Sequence, residues 1–175
     1  VANSLLFTTI SPGVSHTCGT TAGNKGYCWG YNGNGALGTG DTTSVTAPHD
    51  CILNCNTEQA NPSGVAFVKI ATNGGYGGNA GYHMSCAITR QGKLYCWGIN
   101  AHGQLGINST TEKHIPTEVV STALLGAGAN TPITTNLFTV VGLTLTQTAT
   151  SATQYFEDVA IGGYHACART NLDNT

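Results

Sequence analysis

Charged side chains are scarce in this chain. They make up 8% of its 175 residues, against about 25% in a typical soluble domain. Six Lys and Arg stand against eight Asp and Glu, which gives a formal net charge of −2. The sequence therefore lacks the basic field that draws a protein to nucleic acid or to an anionic membrane.

Long apolar runs and catalytic constellations are missing as well. The longest apolar runs, such as residues 119–125, are interrupted by Ser or Thr and are far too short to span a bilayer. None of the eight carboxylates recurs as a close pair in a repeated motif, as paired acid–base chemistry would require. We therefore expect no membrane span, no nucleic-acid partner, no catalytic residue, no cofactor and no metal ion, in a protein that is not an enzyme.

What the chain does contain is a pattern that occurs twice and begins a third time. In both complete copies the Trp lies 11 residues after the first Cys, and Leu-Gly follows at a fixed distance. The members are His16, Cys18, Cys28, Trp29, Gly30, Leu37 and Gly38; His83, Cys86, Cys96, Trp97, Gly98, Leu105 and Gly106; and His165 with Cys167. Such an internal repeat predicts a repeat protein and a binding scaffold.

Four of the seven cysteines form two equally spaced pairs, Cys18 with Cys28 and Cys86 with Cys96. Each pair brackets a Gly-containing turn, so its members would face each other on adjacent antiparallel strands, near disulfide distance. We interpret both pairs as disulfides, which favours an oxidising compartment; buried free thiols in a cytosolic core are the alternative. Zinc is disfavoured because zinc-binding cysteine pairs usually lie closer in sequence.

The remaining cysteines do not follow this spacing. Cys51 and Cys55 are interpreted as a small disulfide-pinned loop. Cys167 is left unpaired, and the repeat spacing places its partner at position 177, beyond Thr175, which indicates truncation. The chain also begins at Val1 without an initiator Met or a visible signal peptide, as an internal fragment or a processed product does.

Short strands surround the repeated motifs. Segments rich in β-branched residues begin at Phe7, Phe67 and Phe156 and predict a first strand in each repeat. The His–Cys and Cys–Trp segments predict a second and a third strand, and a fourth is expected near residues 44–46 and 114–120. Four short antiparallel strands per repeat predict an all-β fold of β-propeller blades, in an incomplete ring of about two and a third blades.

These strands divide the chain into three predicted units. The units are a first blade at residues 1–66 with the Cys51/Cys55 loop, a second blade at 67–155 with insertions at 72–81 and 121–154, and a truncated third blade at 156–175. In the second copy the His lies three residues before its Cys rather than two. We therefore expect a β-bulge near Met84 or Ser85.

The sequence resembles the regulator of chromosome condensation (RCC1) repeat family. The resemblance is carried by the Phe-x-x-Ile start, by His-Thr-Cys at 16–18, by Tyr-Cys-Trp-Gly at 27–30 and by Tyr-Cys-Trp-Gly-x-Asn-x-x-Gly-Gln-Leu-Gly at 95–106. It covers residues 7–48, 67–119 and 156–170. It implies a seven-bladed propeller, in which the remaining blades of the same chain would be partners, and its paired cysteines look like those of secreted or surface-displayed bacterial members.

The repeated residues have structural and functional interpretations. Three histidines at one blade position would suit a metal on an axis, although hydrogen bonding to neighbouring backbone is favoured. Trp29 and Trp97 are interpreted as packing residues between blades rather than as sugar platforms. Leu37 and Leu105 are interpreted as buried plugs of the turns in which they lie.

The predicted function is protein binding by a secreted or cell-surface propeller, through loops on one ring face. The candidate loops are the inserts at 49–66, 72–81 and 121–154. A carbohydrate-binding or cell-wall adhesin module is the first alternative, and it requires Tyr31, Tyr76 and Tyr82 to cluster on one face. Guanine-nucleotide exchange on a small GTPase is the second, and intact disulfides would nearly exclude it.

Overall fold

In the computed structural model, the described residues are 5–50, 66–73, 82–119, 155–163 and 165–170. The strands are β1 (Phe7–Pro12), β2 (His16–Thr21), β3 (Gly26–Gly30), β4 (Val45–Asp50), β5 (Phe67–Thr72), β6 (Met84–Thr89), β7 (Leu94–Gly98), β8 (Lys113–Glu118), β9 (Phe156–Ile161) and β10 (Ala166–Thr170). Within these ranges all regular elements are strands.

The strands form three antiparallel sheets, which we call blades 1, 2 and 3. Blade 1 has the order β1-β2-β3-β4, blade 2 has the order β5-β6-β7-β8, and blade 3 consists of β9 paired with β10. Within each blade, every strand pairs with the next one in the chain. The prediction of four-stranded antiparallel propeller blades is confirmed.

The blades stack face to face, and most of the apolar core lies between them. We call the face that meets the preceding blade the front face, and the opposite one the back face. Between blades 1 and 2, the back-face residues Cys18, Cys28 and Leu37 meet a front-face cluster of blade 2. That cluster consists of Phe67, Ile70, Ala87, Tyr95 and Trp97.

Blade 2 shows why stacking stabilises this fold. Every residue of β6 and β7 is buried, because the back face of blade 2 is covered in turn by Val159 of blade 3. A sheet covered on both faces removes far more apolar surface from water than a sheet exposed on one face. Each Å² of apolar surface buried between the blades stabilises the fold by about 25 cal/mol.

The strand register contradicts the expected bulge. The β6–β7 pairing is regular from Met84 opposite Gly98 to Ile88 opposite Leu94, so the prediction of a bulge near Met84 or Ser85 is wrong. His83, which lies one residue further from its Cys than His16 does, precedes the first residue of β6. The strand pairing therefore needs no bulge. Register shifts do occur at equivalent places in both complete blades, between Phe7 and Thr9 and between Phe67 and Lys69.

The loops of each blade emerge at two opposite ends. We call one the turn end, because it holds the hairpin turns at 22–25 and 90–93, and the other the loop end, which holds the long connections at 31–44 and 99–112. β4 and β8 run towards the turn end, since Tyr27 pairs with Asp50 and Tyr95 pairs with Glu118.

Candidate interaction surfaces and the core between the blades

A hydrogen-bonded chain crosses the interface between blades 1 and 2. The Ser85 hydroxyl donates to the Ala36 carbonyl oxygen at 2.8 Å, and the Trp97 indole N–H donates to the same oxygen at 2.8 Å. Since Ser85 has one proton and gives it to Ala36, its oxygen accepts from His16 Nε2, 3.0 Å away. Two groups of blade 1, the His16 ring and the Ala36 carbonyl, are thus hydrogen-bonded to two side chains of blade 2, Ser85 and Trp97.

This chain of hydrogen bonds also fixes the tautomer of His16. With the proton on Nε2, Nδ1 carries the lone pair, and Nδ1 has no hydrogen-bond partner among the described residues. The His83 ring lies edge-on to the His16 ring, with centroids 5.8 Å apart. Burial, and then the neighbouring His83, lower the pKa of His16 to about 4, and burial lowers the pKa of His83 as well.

The three histidines of the repeat do not share one blade position, which corrects the sequence interpretation. The carbonyls of His16, Met84 and His165 accept equivalent bonds from Gly13, Asn73 and Gly162. Met84 therefore takes the repeated position in blade 2. His83 matches Ser15, because their carbonyls accept from the residues that follow β7 and β3. Across the described residues, no group of three His, Cys, Asp or Glu side chains is placed to hold a metal ion.

The aromatic and leucine positions pack between and within the blades. Trp97 is fully buried against blade 1, and Trp29 is partly buried next to Phe7, with ring centroids 5.7 Å apart. Leu37 and Leu105 are buried in their turns. Packing therefore explains why Trp and Leu recur at these positions of the repeat.

Each long connection at the loop end is closed by one buried asparagine. The Asn100 amide nitrogen donates to the carbonyls of Ser109 and Thr111 at 2.7 and 3.0 Å, and its oxygen accepts from Leu105 N at 3.0 Å. Asn32 makes the corresponding bonds in blade 1, where its oxygen accepts from Leu37 N at 2.9 Å. The asparagine therefore holds the turn that buries each leucine.

Two disulfides lie in the interfaces between the blades. Cys18–Cys28 and Cys86–Cys96 each join opposed residues of neighbouring strands, with Cα atoms 4.1 Å apart. All four sulfur-bearing residues are at most 1% exposed. Cys167 is an exposed free cysteine. The proposed Cys51–Cys55 pair lies outside the described residues.

The loop end carries two pairs of tyrosine and histidine rings in contact. Tyr31 lies against His83, with centroids 4.8 Å apart, and Tyr82 stacks on His102 at 6.4 Å with an interplanar angle of 15°. The structure thus places Tyr31 and Tyr82 at the same end, while Tyr76 lies outside the described residues. Each tyrosine ring contacts a histidine ring of its own chain, which does not favour an open sugar platform.

The predicted inserts do not all emerge at one face. The strands that flank 51–65 and 120–154 end and begin at the turn end, whereas β5 and β6, which flank 74–81, do so at the loop end. The three candidate inserts therefore do not share one face, because the connections between blades leave the turn end whereas the connection from β5 to β6 leaves the loop end.

The turn end also carries three basic residues. Lys25, Arg90 and Lys93 are exposed there. Lys93 pairs with Glu118, with nitrogen and oxygen 3.1 Å apart, and the Tyr95 hydroxyl donates to the same carboxylate at 3.3 Å. Burial, and then the negative charge of Glu118, raise the pKa of Tyr95 to about 12, so this phenol stays neutral and acts as a donor.

Sequence reasoning missed two groups that organise these surfaces. Ser85 joins the blades, yet a serine between Met84 and Cys86 carries no signal of its own until the blades are stacked. Asn73 is fully buried and donates to the carbonyls of Tyr82 and of Gly163 in blade 3. The Gly-rich segment after Asn73 predicts only a loop, so its closing bond could not be foreseen.

No helix in the described part of the chain is long and apolar enough to cross a membrane.

Stacked four-stranded blades with a buried Trp and a Leu-Gly turn define the class of β-propeller repeat proteins. Comparison with known families adds a match in sequence. Residues 79–104 match the model of the regulator of chromosome condensation (RCC1) repeat. The chain thus contains a segment similar to this repeat, as the sequence resemblance predicts.

The chain is also similar in sequence to parts of longer proteins. The chain is 33% identical over 113 residues to the ultraviolet-B receptor UVR8 of Arabidopsis thaliana, which covers 65% of the chain and 22% of that protein. It is 32% identical over 107 residues to the canine X-linked retinitis pigmentosa GTPase regulator, which covers 61% of the chain and 9% of that protein. The chain thus spans less than a quarter of the length of these relatives.

Solved structures show the same fold. Prp20p of Saccharomyces cerevisiae superposes with a TM-score of 0.61 at 16% identity, over 96% of this chain and 32% of that one. Human WBSCR16 superposes with a TM-score of 0.56 at 19% identity, over 93% of this chain and 30% of that one. At these identities the likeness establishes the fold alone.

Proposed function

We propose that this chain is part of a non-enzymatic scaffold, secreted or displayed at the cell surface, that binds a protein partner through the turn end of its blades. The observation that carries the proposal is topological: two of the three inserts are anchored at that end, beside the exposed Lys25 and Arg90. Loops on a rigid scaffold are where binding residues concentrate.

The chemistry of the turn end suits a protein surface. It combines exposed cations with Tyr155, which is 45% exposed, and interfaces between proteins are enriched in Tyr and Arg. The similar protein Prp20p is described by its binding to Gsp1p and histones, and also as bound to Kap60. Protein binding by this fold in a relative supports the same class of function here.

The two buried disulfides support the location. Disulfides persist in oxidising compartments and are rare in the cytosol of mesophiles. A reporter fused to the chain in its source organism, followed by fractionation, tests this directly: recovery in the medium or on the surface is expected, and cytosolic recovery with reduced cysteines contradicts it.

The binding face is tested by paired variants. The chain is immobilised, proteins are captured from the envelope fraction of the source organism, and each is purified and titrated against the wild type and the variants. We expect Lys25→Ala with Arg90→Ala to raise the Kd of the true partner, and His102→Ala at the loop end to leave it unchanged. A partner sensitive only to His102→Ala refutes the turn end as the contact face. Saturable binding of glycans alone refutes a protein partner.

A further inference from the structure

We propose that the first disulfide, Cys18–Cys28, is an acid-gated redox switch. Mild acid opens the contact between blades 1 and 2, and a reductant reaches the two sulfur atoms once that contact is open. The second disulfide, Cys86–Cys96, lacks this gate. The switch lies inside the stack, so it does not depend on the proposed partner at the turn end.

The first disulfide is enclosed by the same contact that holds His16. Cys18 and Cys28 are both 0% exposed, because front-face residues of blade 2 cover the back face of blade 1. Ser85 reaches across this contact, with its oxygen 3.7 Å from the Cys18 sulfur and 3.0 Å from His16 Nε2. A reductant must meet the sulfur atoms directly, so reduction requires a local opening of the two blades.

Acid favours that opening through His16. In the closed contact the ring gives its one N–H to Ser85, and its other nitrogen has no partner among the described residues. The titratable groups packed on this side are the buried His83, in contact with the His16 ring, and Tyr31, whose ring lies against His83. A second proton would add charge beside a basic ring, and it is accepted more readily once the blades separate. Burial, and then His83, accordingly lower the pKa of His16 from 6.5 to about 4.

The interface between blades 2 and 3 supplies an internal comparison. Met84 holds in blade 2 the position of His16, and Ala166 holds in blade 3 the position of Ser85. Both residues belong to the apolar cluster between blades 2 and 3, which also contains the second disulfide. The two disulfides are matched in sequence separation, in burial and in the 4.1 Å between their Cα atoms. Within the described residues they differ in that a histidine is bonded across the interface beside the first.

A water-soluble trialkylphosphine performs the reduction without a competing thiol. Phosphorus attacks one sulfur and the S–S bond breaks. Water then supplies the oxygen of the phosphine oxide, and its two protons end on the two cysteine thiols. Each disulfide thus consumes one phosphine, which is oxidised, and one water. Because both disulfides meet the same reductant in one sample, the ratio of their reduction rates cancels the phosphine's own dependence on pH.

Reduction is followed at pH 7 and at pH 5 without denaturant. Free thiols are trapped by alkylation at successive times, and mass spectrometry of the peptides follows each disulfide separately. With a His16 pKa of about 4 in the closed contact and 6.5 in the open one, opening is favoured about 20-fold more at pH 5 than at pH 7. We therefore expect the rate of the first disulfide relative to the second to rise by that factor.

Two reciprocal exchanges test the cause. His16→Met with Ser85→Ala gives the first interface the apolar pair of the second, and we expect the rise between pH 7 and pH 5 to disappear. Met84→His with Ala166→Ser places a histidine and a serine at the second interface, and we expect acid to accelerate reduction of the second disulfide. The control is His49→Gln on the exposed strand β4, which should keep the wild-type ratio at both pH values.

Three results would overturn the proposal. Equal acceleration of both disulfides at pH 5 shows that acid opens the whole stack rather than one contact. A rate ratio that stays the same at pH 7 and pH 5 shows that the first contact has no acid gate. A rise that persists in the variant with His16→Met and Ser85→Ala, or in His16→Gln should that variant not fold, assigns the gate to another group.

Discussion

Mild acid should destabilise the contact between blades 1 and 2, because that contact buries a histidine whose second ring nitrogen has no acceptor for a proton among the described residues. His16 is 2% exposed, and its one N–H is already donated to Ser85. A proton on Nδ1 would be buried without a partner among the described residues, in a ring that lies 5.8 Å from the His83 ring. Protonation is therefore far easier in the unfolded chain than in the folded one.

The size of the effect follows from proton linkage. The folded-state pKa of His16 is lowered from 6.5 to about 4, so the unfolded state binds more protons between these two values. Stability contributed by the neutral ring is present above pH 6.5, declines as the pH falls, and is lost below about 4. A tenfold difference in proton affinity corresponds to about 1.4 kcal/mol. The whole loss is therefore roughly 3 kcal/mol, of which about 2 kcal/mol is reached at pH 5.

Urea unfolding at pH 7 and at pH 5, followed by tryptophan fluorescence, measures this loss. His16→Gln keeps an N–H that can reach Ser85 but cannot be protonated, so we expect most of the difference between the two pH values to disappear. Some dependence should remain from His83, whose pKa is lowered by burial. The control is His49→Gln on the exposed strand β4, which should retain the full difference. If His16→Gln loses as much stability as the wild type between pH 7 and 5, the buried neutral imidazole is not the cause.

Four further changes test other parts of the structure. Ser85→Ala leaves the His16 donor unpartnered and should cost about 1–3 kcal/mol, read as a fall in the urea midpoint. Gly98→Ala should destabilise strongly, since φ is +105° and a Cβ would lie 2.3 Å from a carbonyl oxygen, whereas Gly163→Ala, with no atom within 4 Å of its Cβ, should leave Tm unchanged. Asn100→Ala removes three buried bonds and should cost about 2–3 kcal/mol at about 1 kcal/mol each, with faster proteolysis between residues 99 and 112 as the readout. Alkylation without reduction should label Cys167 and spare the two disulfide pairs; label on those pairs in oxidised protein would contradict the disulfide bonds.

The fold could be predicted because the residues that begin and end the strands recur at the same places in each repeat. Phe7, Phe67 and Phe156 mark the first strand of each blade, and Gly30 and Gly98 mark the end of each third strand, where a positive φ is needed. Local pattern and turn chemistry suffice for such features, since each depends on residues close together in sequence.

The contents of the interface could not be predicted in the same way. Ser85 and Ala36 lie 49 residues apart, and their bond exists only once two blades are stacked. The histidine positions failed for a related reason: counting from the nearest Cys placed His83 level with His16, whereas the hydrogen-bond register gives that position to Met84. Spacing along one strand cannot reveal where a strand begins.

The turn end accommodates connections of different length between the blades at a small cost in chain entropy. The chain re-enters each blade through one main-chain bond to the preceding turn, from Phe67 N to Asn24 O at 3.0 Å and from Phe156 N to Gly92 O at 2.9 Å. Sixteen residues precede the first bond, counted from the end of β4, and 37 precede the second, counted from the end of β8. Closing the longer connection costs only about 0.7 kcal/mol more by chain entropy. A longer connection between the same two ends therefore adds surface at the turn end at little entropic cost, and this is the physical reason to look for the partner there.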